Sequence, residues 1–318
     1  MASNTANLML GMGSATDWRI VISHAWPPVG ILIGMAGQFI ILPACGATLA
    51  WAFKLTPYEA MGVLMVSSCP SGSFSNFFTY WVDGDLALSI VMTTFSSILA
   101  LGGMPLNLWM YSKIWLDVYD SSPIIIPYAT IMKTLVLITA PVAVGMGIRH
   151  YRPRIASIVT KISSIIGWVG VITNTVIWGI LYWSVFAAAT PLLYACSFIL
   201  PFLGFSLAYV FARLVCRTNK VCRTIGIETG SQNMAVALSV ILMSFQDPKV
   251  KSSMIVFPTL YSTTMLIEMF TGIGLFHTWR RCRQKPDDEY LPGAHTATLV
   301  KSASGRRDPR SFTQSSSF

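Results

Sequence analysis

The apolar residues of this chain are gathered into long blocks, not spread as stripes at helical spacing. A bilayer span needs about 20 consecutive, mostly apolar residues, so blocks of that length direct the chain to an all-α polytopic membrane fold. Composition agrees: of 318 residues, 53% are hydrophobic and 11% charged. Soluble domains carry about 25% charged residues, and so few charges do not cover a soluble body of this size.

About eight spans can be marked by this criterion. The first runs from about Pro27 to Phe53. The second begins at Thr56-Pro57-Tyr58-Glu59, where Thr56 suits a cap, Pro57 the first helical position and Glu59 a capping box. It breaks at Pro70-Ser71-Gly72 and resumes near Ser75. The third covers Asp85 to Tyr111, the fourth Pro127 to Ile148, the fifth Ile155 to Trp183 and the sixth Pro191 to Val215. The seventh runs from Asn219 to Phe245 through Glu228-Thr229-Gly230, and the eighth from Asp247 to Trp279.

The net charge of +9 sits in loops and tail, as topology signals do, and no RNA or DNA motif accompanies it; no nucleic-acid partner is expected. One set of alternate connections carries Arg149, Arg152, Arg154 and Lys161, then Arg213, Arg217, Lys220 and Arg223, then Arg280, Arg281, Arg283 and Lys285. The opposite set carries only Lys54, Lys113, Lys249 and Lys251. Basic residues collect on the cytosolic side, so the C-terminus and Met1 are both expected inside. No basic segment precedes the first apolar run as in a cleavable signal peptide. The six cysteines form no CxxC pair and read as buried thiols, and the four histidines are scattered. Residues 286–318 have no apolar period and read as a disordered cytosolic tail. The ending Ser316-Ser317-Phe318 is of a kind that can add to a PDZ-type sheet edge.

Two segments do not read as lipid-facing helix: Cys69-Pro70-Ser71-Gly72-Ser73-Phe74-Ser75-Asn76 and Glu228-Thr229-Gly230-Ser231-Gln232-Asn233. Irregular backbone at membrane depth survives only inside protein or beside a cavity. Carriers built from inverted repeats place such breaks at the midplane, where freed carbonyls hold cations and half-helix N-termini face anions. The span order, plain–broken–plain for one to three and again for six to eight, fits a repeat of that kind. Glu228 is the costly residue. A mid-membrane carboxylate costs roughly 2.5–3.5 kcal/mol on insertion scales, and no Lys or Arg in its span neutralises it. A hard monovalent cation does so with oxygen ligands of the types around both breaks; a protonated, hydrogen-bonded Glu is the alternative. Glu268, in the last span, has no polar break around it and reads as structural or cavity-lining.

At these residues the sequence resembles the bile acid:sodium symporter family. The resemblance is carried by Gly37-Gln38-Phe39 with Pro43; by Cys69-Pro70 through Ser75-Asn76, Tyr80-Trp81-Val82-Asp83-Gly84-Asp85, Leu88 to Thr94 and Met104-Pro105; and by Cys222-Arg223-Thr224, Glu228 to Asn233 and Phe257-Pro258. The Tyr-Trp-Val-Asp-Gly-Asp stretch is most similar to the ileal bile acid and steroid-sulfate branch. The resemblance implies an inverted-repeat carrier domain over 27–285, with core spans about 27–111 and 191–279 and panel spans about 127–183. It implies two Na⁺ as coupling ions. One site would use Ser75, Asn76, Ser89, Thr93 and Glu228; the other Gln38, Glu228, Gln232 and the carbonyls of Thr229 and Ser231. Asn233 and Glu268 are the substrate-cavity candidates. Family members begin with at least one more span before the match to Gln38. Here Asn7 to Gly13 resembles only the end of that helix, so an N-terminal helix is expected to be missing and 1–26 to be a cytosolic or interfacial segment.

The expected function is sodium-coupled import of bile acids or related amphipathic organic anions, such as steroid sulfates, across the plasma membrane, with the lipid bilayer as surroundings. Two alternatives stand beside it. One is a cation/proton antiporter on the same plan, which calls for a titrating carboxylate pair where only Glu228 stands. The other is a non-transporting family member. No nucleophile–base pair or metal constellation suggests an enzyme.

Overall fold

A computed structural model describes residues 2–17, 19, 28–72, 74–116, 127–181, 183–215 and 217–284. The expected tail from 286 to 318, with its Ser316-Ser317-Phe318 ending, lies outside the described residues, as do Pro27, Ser73 and Cys216. The chain divides into two units, Met1–Gly274 and Leu275–Phe318. In the second, residues 275–284 are helical and Phe276 packs on His277 and Trp279, with ring centroids 5.5 and 6.4 Å apart.

The described elements are helices: α1 (Ala2–Ala15), α2 (Val29–Ala52), α3 (Pro57–Ser67), α4 (Phe74–Trp81), α5 (Leu86–Leu116), α6 (Tyr128–Tyr151), α7 (Pro153–Leu181), α8 (Trp183–Ala188), α9 (Pro191–Leu214), α10 (Asn219–Gly230), α11 (Met234–Ser244) and α12 (Pro248–Gln284). Five of them, α2, α5, α6, α9 and α12, contain stretches long and apolar enough to cross a membrane. The two expected breaks are present as links between short helices, α3 to α4 and α10 to α11.

Helix starts follow from local chemistry. Thr56 and Glu59 form the expected capping box on α3, with Pro57 at the first position. Thr190, Thr218 and Asn233 each accept from a main-chain N–H in the first turn of α9, α10 and α11. Each such cap satisfies a donor that the helix itself leaves open.

Outward faces are apolar. Along α7, Ile155, Ile158, Ile162, Ile165, Val169, Ile172, Val176 and Ile180 recur at steps of three and four and are all exposed. A continuous apolar stripe of that length is not a water-facing surface. The inside of the bundle holds an unusual polar population instead, including Gln38, Ser71, Ser75, Ser89, Thr93, Glu228 and Gln232, each at most 2% exposed.

The N-terminal helix is a structural element with its own packing. α1 lies against α6 and α7, and Met9 and Met12 are buried. The approach is close because both partners use glycine. A Cβ on Gly145 would lie 2.4 Å from the Leu10 carbonyl oxygen, and one on Gly13 would lie 2.1 Å from that of Val142. Small residues let helix backbones meet at such distances.

Candidate cation site at the crossing of two interrupted helices

The two links cross and pair through the main chain. Gly72 N–H donates to the Ser231 carbonyl at 2.9 Å, and Asn233 N–H donates to the Pro70 carbonyl at 2.9 Å. Ser71 and Gln232 form an isolated antiparallel bridge. Backbone freed by ending α3 and α10 in mid-bundle is satisfied by the opposite link, as buried backbone requires.

Glu228, in the last turn of α10, sits beside this bridge and is 1% exposed. Four hydroxyls donate to its carboxylate. Ser71 Oγ reaches Oε2 at 2.6 Å, Thr93 Oγ1 reaches Oε2 at 2.9 Å, Ser75 Oγ reaches Oε1 at 2.6 Å, and Ser89 Oγ also bonds Oε1. Ser89 and Thr93 are one turn apart on α5, so they present both hydroxyls to the same point. Asn76 joins through its Oδ1, 2.8 Å from Ser89 Oγ. All five residues expected for the first cation site therefore belong to one hydrogen-bond network. Ser71 belongs to it as well. It was legible only as part of the break and was not among the expected ligands.

A second cluster adjoins the first. Gln38 lies in a π-helical turn, Gly37–Ile41, within α2. Such turns carry an extra residue and recur at functional sites. Gln38 Nε2 donates to the Cys69 carbonyl at 2.6 Å and to Gln232 Oε1 at 2.7 Å. Gln232 Nε2 in turn donates to the Thr229 carbonyl at 2.8 Å. Gly37 is required here, since a Cβ would stand 2.7 Å from Thr229 Oγ1. The hydroxyls of Thr229 and Ser231 are buried with no hydrogen-bond partner among the described residues. The expected members of the second site are thus gathered, with amide N–H groups occupying the oxygens of Gln232 and Thr229.

The two cavity candidates stand differently. Asn233 Oδ1 accepts from Val236 N–H at 3.2 Å and caps α11. Glu268, half-buried on α12, has no hydrogen bond to the Glu228 network, and its Oε1 is shut from solvent without a partner among the described residues. Among those residues, no three His, Cys, Asp or Glu side chains gather as a metal-binding group. Chemically, the crossing is a set of hard oxygens around one carboxylate, suited to an alkali or alkaline-earth cation.

Comparison with known proteins gives this arrangement a family. Residues 6–188 match the sodium bile acid symporter family. The ileal sodium/bile acid cotransporter of Oryctolagus cuniculus is 38% identical over 298 residues, covering 94% of this chain and 84% of that protein. The hepatic sodium/bile acid cotransporter of Homo sapiens is 33% identical over 300 residues, 90% of this chain and 85% of that protein. The sodium-dependent organic anion transporter of Homo sapiens is 32% identical over 305 residues, 96% of this chain and 80% of that protein. With a family match over more than half its length and these relatives aligned over 80–85% of theirs, the chain belongs to the sodium bile acid symporter family.

Proposed function

We propose that this protein is a sodium-coupled symporter that imports bile acids or related amphipathic organic anions, such as steroid sulfates, across the plasma membrane. The observation that carries the reading is Glu228, a carboxylate buried at the crossing of two interrupted helices under four hydroxyls. Hydroxyls stabilise a carboxylate but leave its charge in place. A sodium ion removes that charge and uses the same oxygens.

Three of the hydroxyls have a second acceptor at hand. Ser75 Oγ lies 2.7 Å from the Gly72 carbonyl, Ser89 Oγ 2.8 Å from Asn76 Oδ1, and Thr93 Oγ1 2.9 Å from the Ser89 carbonyl. Each turns its one hydrogen to that acceptor and offers a lone pair to the ion. The first ion is held by Ser75, Asn76, Ser89, Thr93 and Glu228. The second is held by Gln38, Glu228, Gln232 and the carbonyls of Thr229 and Ser231, after the two glutamine amides rotate from N–H to oxygen.

The transport cycle follows from these parts. The five long apolar helices, the two interrupted pairs and α7 make eight spans. Their order, continuous–interrupted–continuous on either side of 127–183, supports two inverted repeats forming a core (27–111 and 191–279). The panel is 127–183, with α1 packed on it. Ions arriving from outside order the crossing and complete the anion cavity, with Glu268 a candidate for its wall. Movement of panel against core then opens the cavity inward, with the C-terminus in the cytosol.

The test is Na⁺-dependent tracer uptake of taurocholate and of a steroid sulfate by cells expressing the protein, with Glu228→Gln beside it. Uptake in Na⁺ but not in choline, lost in Glu228→Gln, is the expected result. Equal uptake by the variant would sink the role given to Glu228, and surface-expressed protein with no uptake would favour a non-transporting member. Proton flux driven by Na⁺ would favour an antiporter.

A further inference from the structure

We propose that the Ser71 hydroxyl is an additional oxygen ligand of the first cation site, an inference that rests on the sodium-symport reading above. Ser71 lies in the irregular link between α3 and α4 and is 1% exposed. Its direction is fixed on the main-chain side. It pairs with Gln232 in the bridge between links, and its N–H donates to Ser96 Oγ at 3.2 Å. The nearest acceptor of its side chain is Glu228 Oε2, 2.6 Å away.

Three geometric facts separate a ligand from a hydroxyl that merely fills space. First, Ser75 and Ser89 serve Oε1, while Oε2 is served by Thr93 and Ser71. Without Ser71 the shell of oxygens is lopsided, three hydroxyls instead of two on each carboxylate oxygen. Second, Ser71 Oγ is 3.4 Å from Ser75 Oγ. Na⁺ has nearly the radius of Ca²⁺, whose oxygen ligands stand at 2.3–2.6 Å, so neighbouring corners of an octahedron are roughly 3.3–3.7 Å apart. The Ser71–Ser75 spacing, here a long hydrogen bond, falls within that range. Third, Ser71 has an alternative acceptor in the Ser231 carbonyl at 3.3 Å. It turns its hydrogen there as the other hydroxyls turn theirs, leaving a lone pair for the cation. Ser231 is a member of the second site, so Ser71 touches one acceptor from each.

The experiment uses the full-length protein purified in detergent, with its thermal midpoint followed as NaCl replaces choline chloride at constant ionic strength. A ligand that binds only the folded state raises that midpoint with the logarithm of one plus the ratio of its concentration to Kd. Ser71→Ala removes the oxygen, Ser71→Cys keeps the volume but offers a soft sulfur that suits Na⁺ poorly, and Ser75→Ala sets the scale for losing a ligand. The Na⁺ concentration needed for a given rise in midpoint should increase by about threefold to tenfold in Ser71→Ala and Ser71→Cys alike. Uptake by cells expressing each variant should show the same shift in Na⁺ activation. A Ser71→Ala titration that overlays wild type overturns the proposal. So does Ser71→Cys matching wild type while Ser71→Ala does not, because volume is then what matters. If wild-type protein itself is neither stabilised by Na⁺ nor active in Na⁺-dependent uptake, the symport reading falls first.

Discussion

Asn107 donates through Nδ2 to the main-chain oxygen of Phe39 at 3.0 Å, one residue beyond Gln38. The bond answers a local deficit. Pro43 stands four residues after Phe39 and has no N–H to give. Leu42 N–H, which would serve Gln38 in a regular helix, reaches back to Gly37 across the π turn. The buried Asn107 amide replaces the missing donor and holds the turn that aims Gln38. Asn107→Leu leaves that carbonyl without its side-chain donor, at a cost of about 1–3 kcal/mol. The Na⁺ concentration for half-maximal uptake should rise severalfold in this variant, measured with surface-labelled protein as the denominator. Maximal uptake at saturating Na⁺ should change little.

Gly145 and Gly147 sit two residues apart on α6 and should respond oppositely to alanine. A Cβ at 145 would lie 2.4 Å from the Leu10 carbonyl oxygen of α1, while one at 147 meets nothing within 4 Å. Gly145→Ala should lower the thermal midpoint of the purified protein, with a penalty of about 1–3 kcal/mol from overpacking. Gly147→Ala should leave it unchanged or raise it, since alanine is better than glycine within a helix by about 1 kcal/mol.

Glu59 joins two helix starts. Its Oε2 accepts from Thr56 N–H at 3.0 Å and Thr56 Oγ1 at 2.8 Å, and its Oε1 accepts from the hydroxyl of Thr190, the α9 cap, at 3.3 Å. Glu59→Ala removes a cap on α3 and the tie to α9 together. It should destabilise the protein by about 0.5–2 kcal/mol, read as a lower thermal midpoint. Thr190→Val loses the tie and the α9 cap but leaves the Thr56 box, and the double variant Glu59→Ala/Thr190→Val should cost less than the two single changes summed, because they share one bond.

Charge balance makes a prediction about voltage. In the proposed two-ion cycle, two Na⁺, the Glu228 carboxylate and one anion would sum to zero in the loaded cavity. The ions and one monovalent anion would nevertheless carry a net positive charge inward per cycle. A potential of 100 mV, negative inside, contributes roughly 2.3 kcal/mol for each such charge. Uptake into vesicles should accelerate when a K⁺ gradient with valinomycin makes the interior negative. Indifference to voltage would mean one Na⁺ per anion.

Sequence pattern reached the features that local chemistry controls. The Thr56–Glu59 box was legible because capping is a matter of four adjacent residues. The breaks were legible because Pro70-Ser71-Gly72 and Gly230-Ser231 cluster helix-breaking and small polar residues at mid-span, where irregular backbone survives only inside protein, and Glu228 because an unpaired carboxylate is costly there. Partners 135 to 157 residues from Glu228 depend on the crossing itself. Ser89 and Thr93 entered through family resemblance rather than through periodicity. Ser71 was missed because an irregular link has no period to say where its side chain points. Asn107 was missed because an asparagine in a long helix reads as an ordinary polar residue. The signal available was the Phe39–Pro43 spacing. For α1 the signal is weak at every level: Ala2–Ala15 contains two glycines and has no apolar stripe, and its stability comes from docking on α6 and α7.

The links are fastened by Gly72 and Asn233 through their main-chain N–H groups. An alanine scan can therefore strip the crossing of every side-chain oxygen offered to the proposed ions and still leave it knotted. Mutational tolerance and transport will part company there, with well-folded variants that do nothing. Proline at 72 and 233 together, which takes both hydrogens away, would let the two arms come apart.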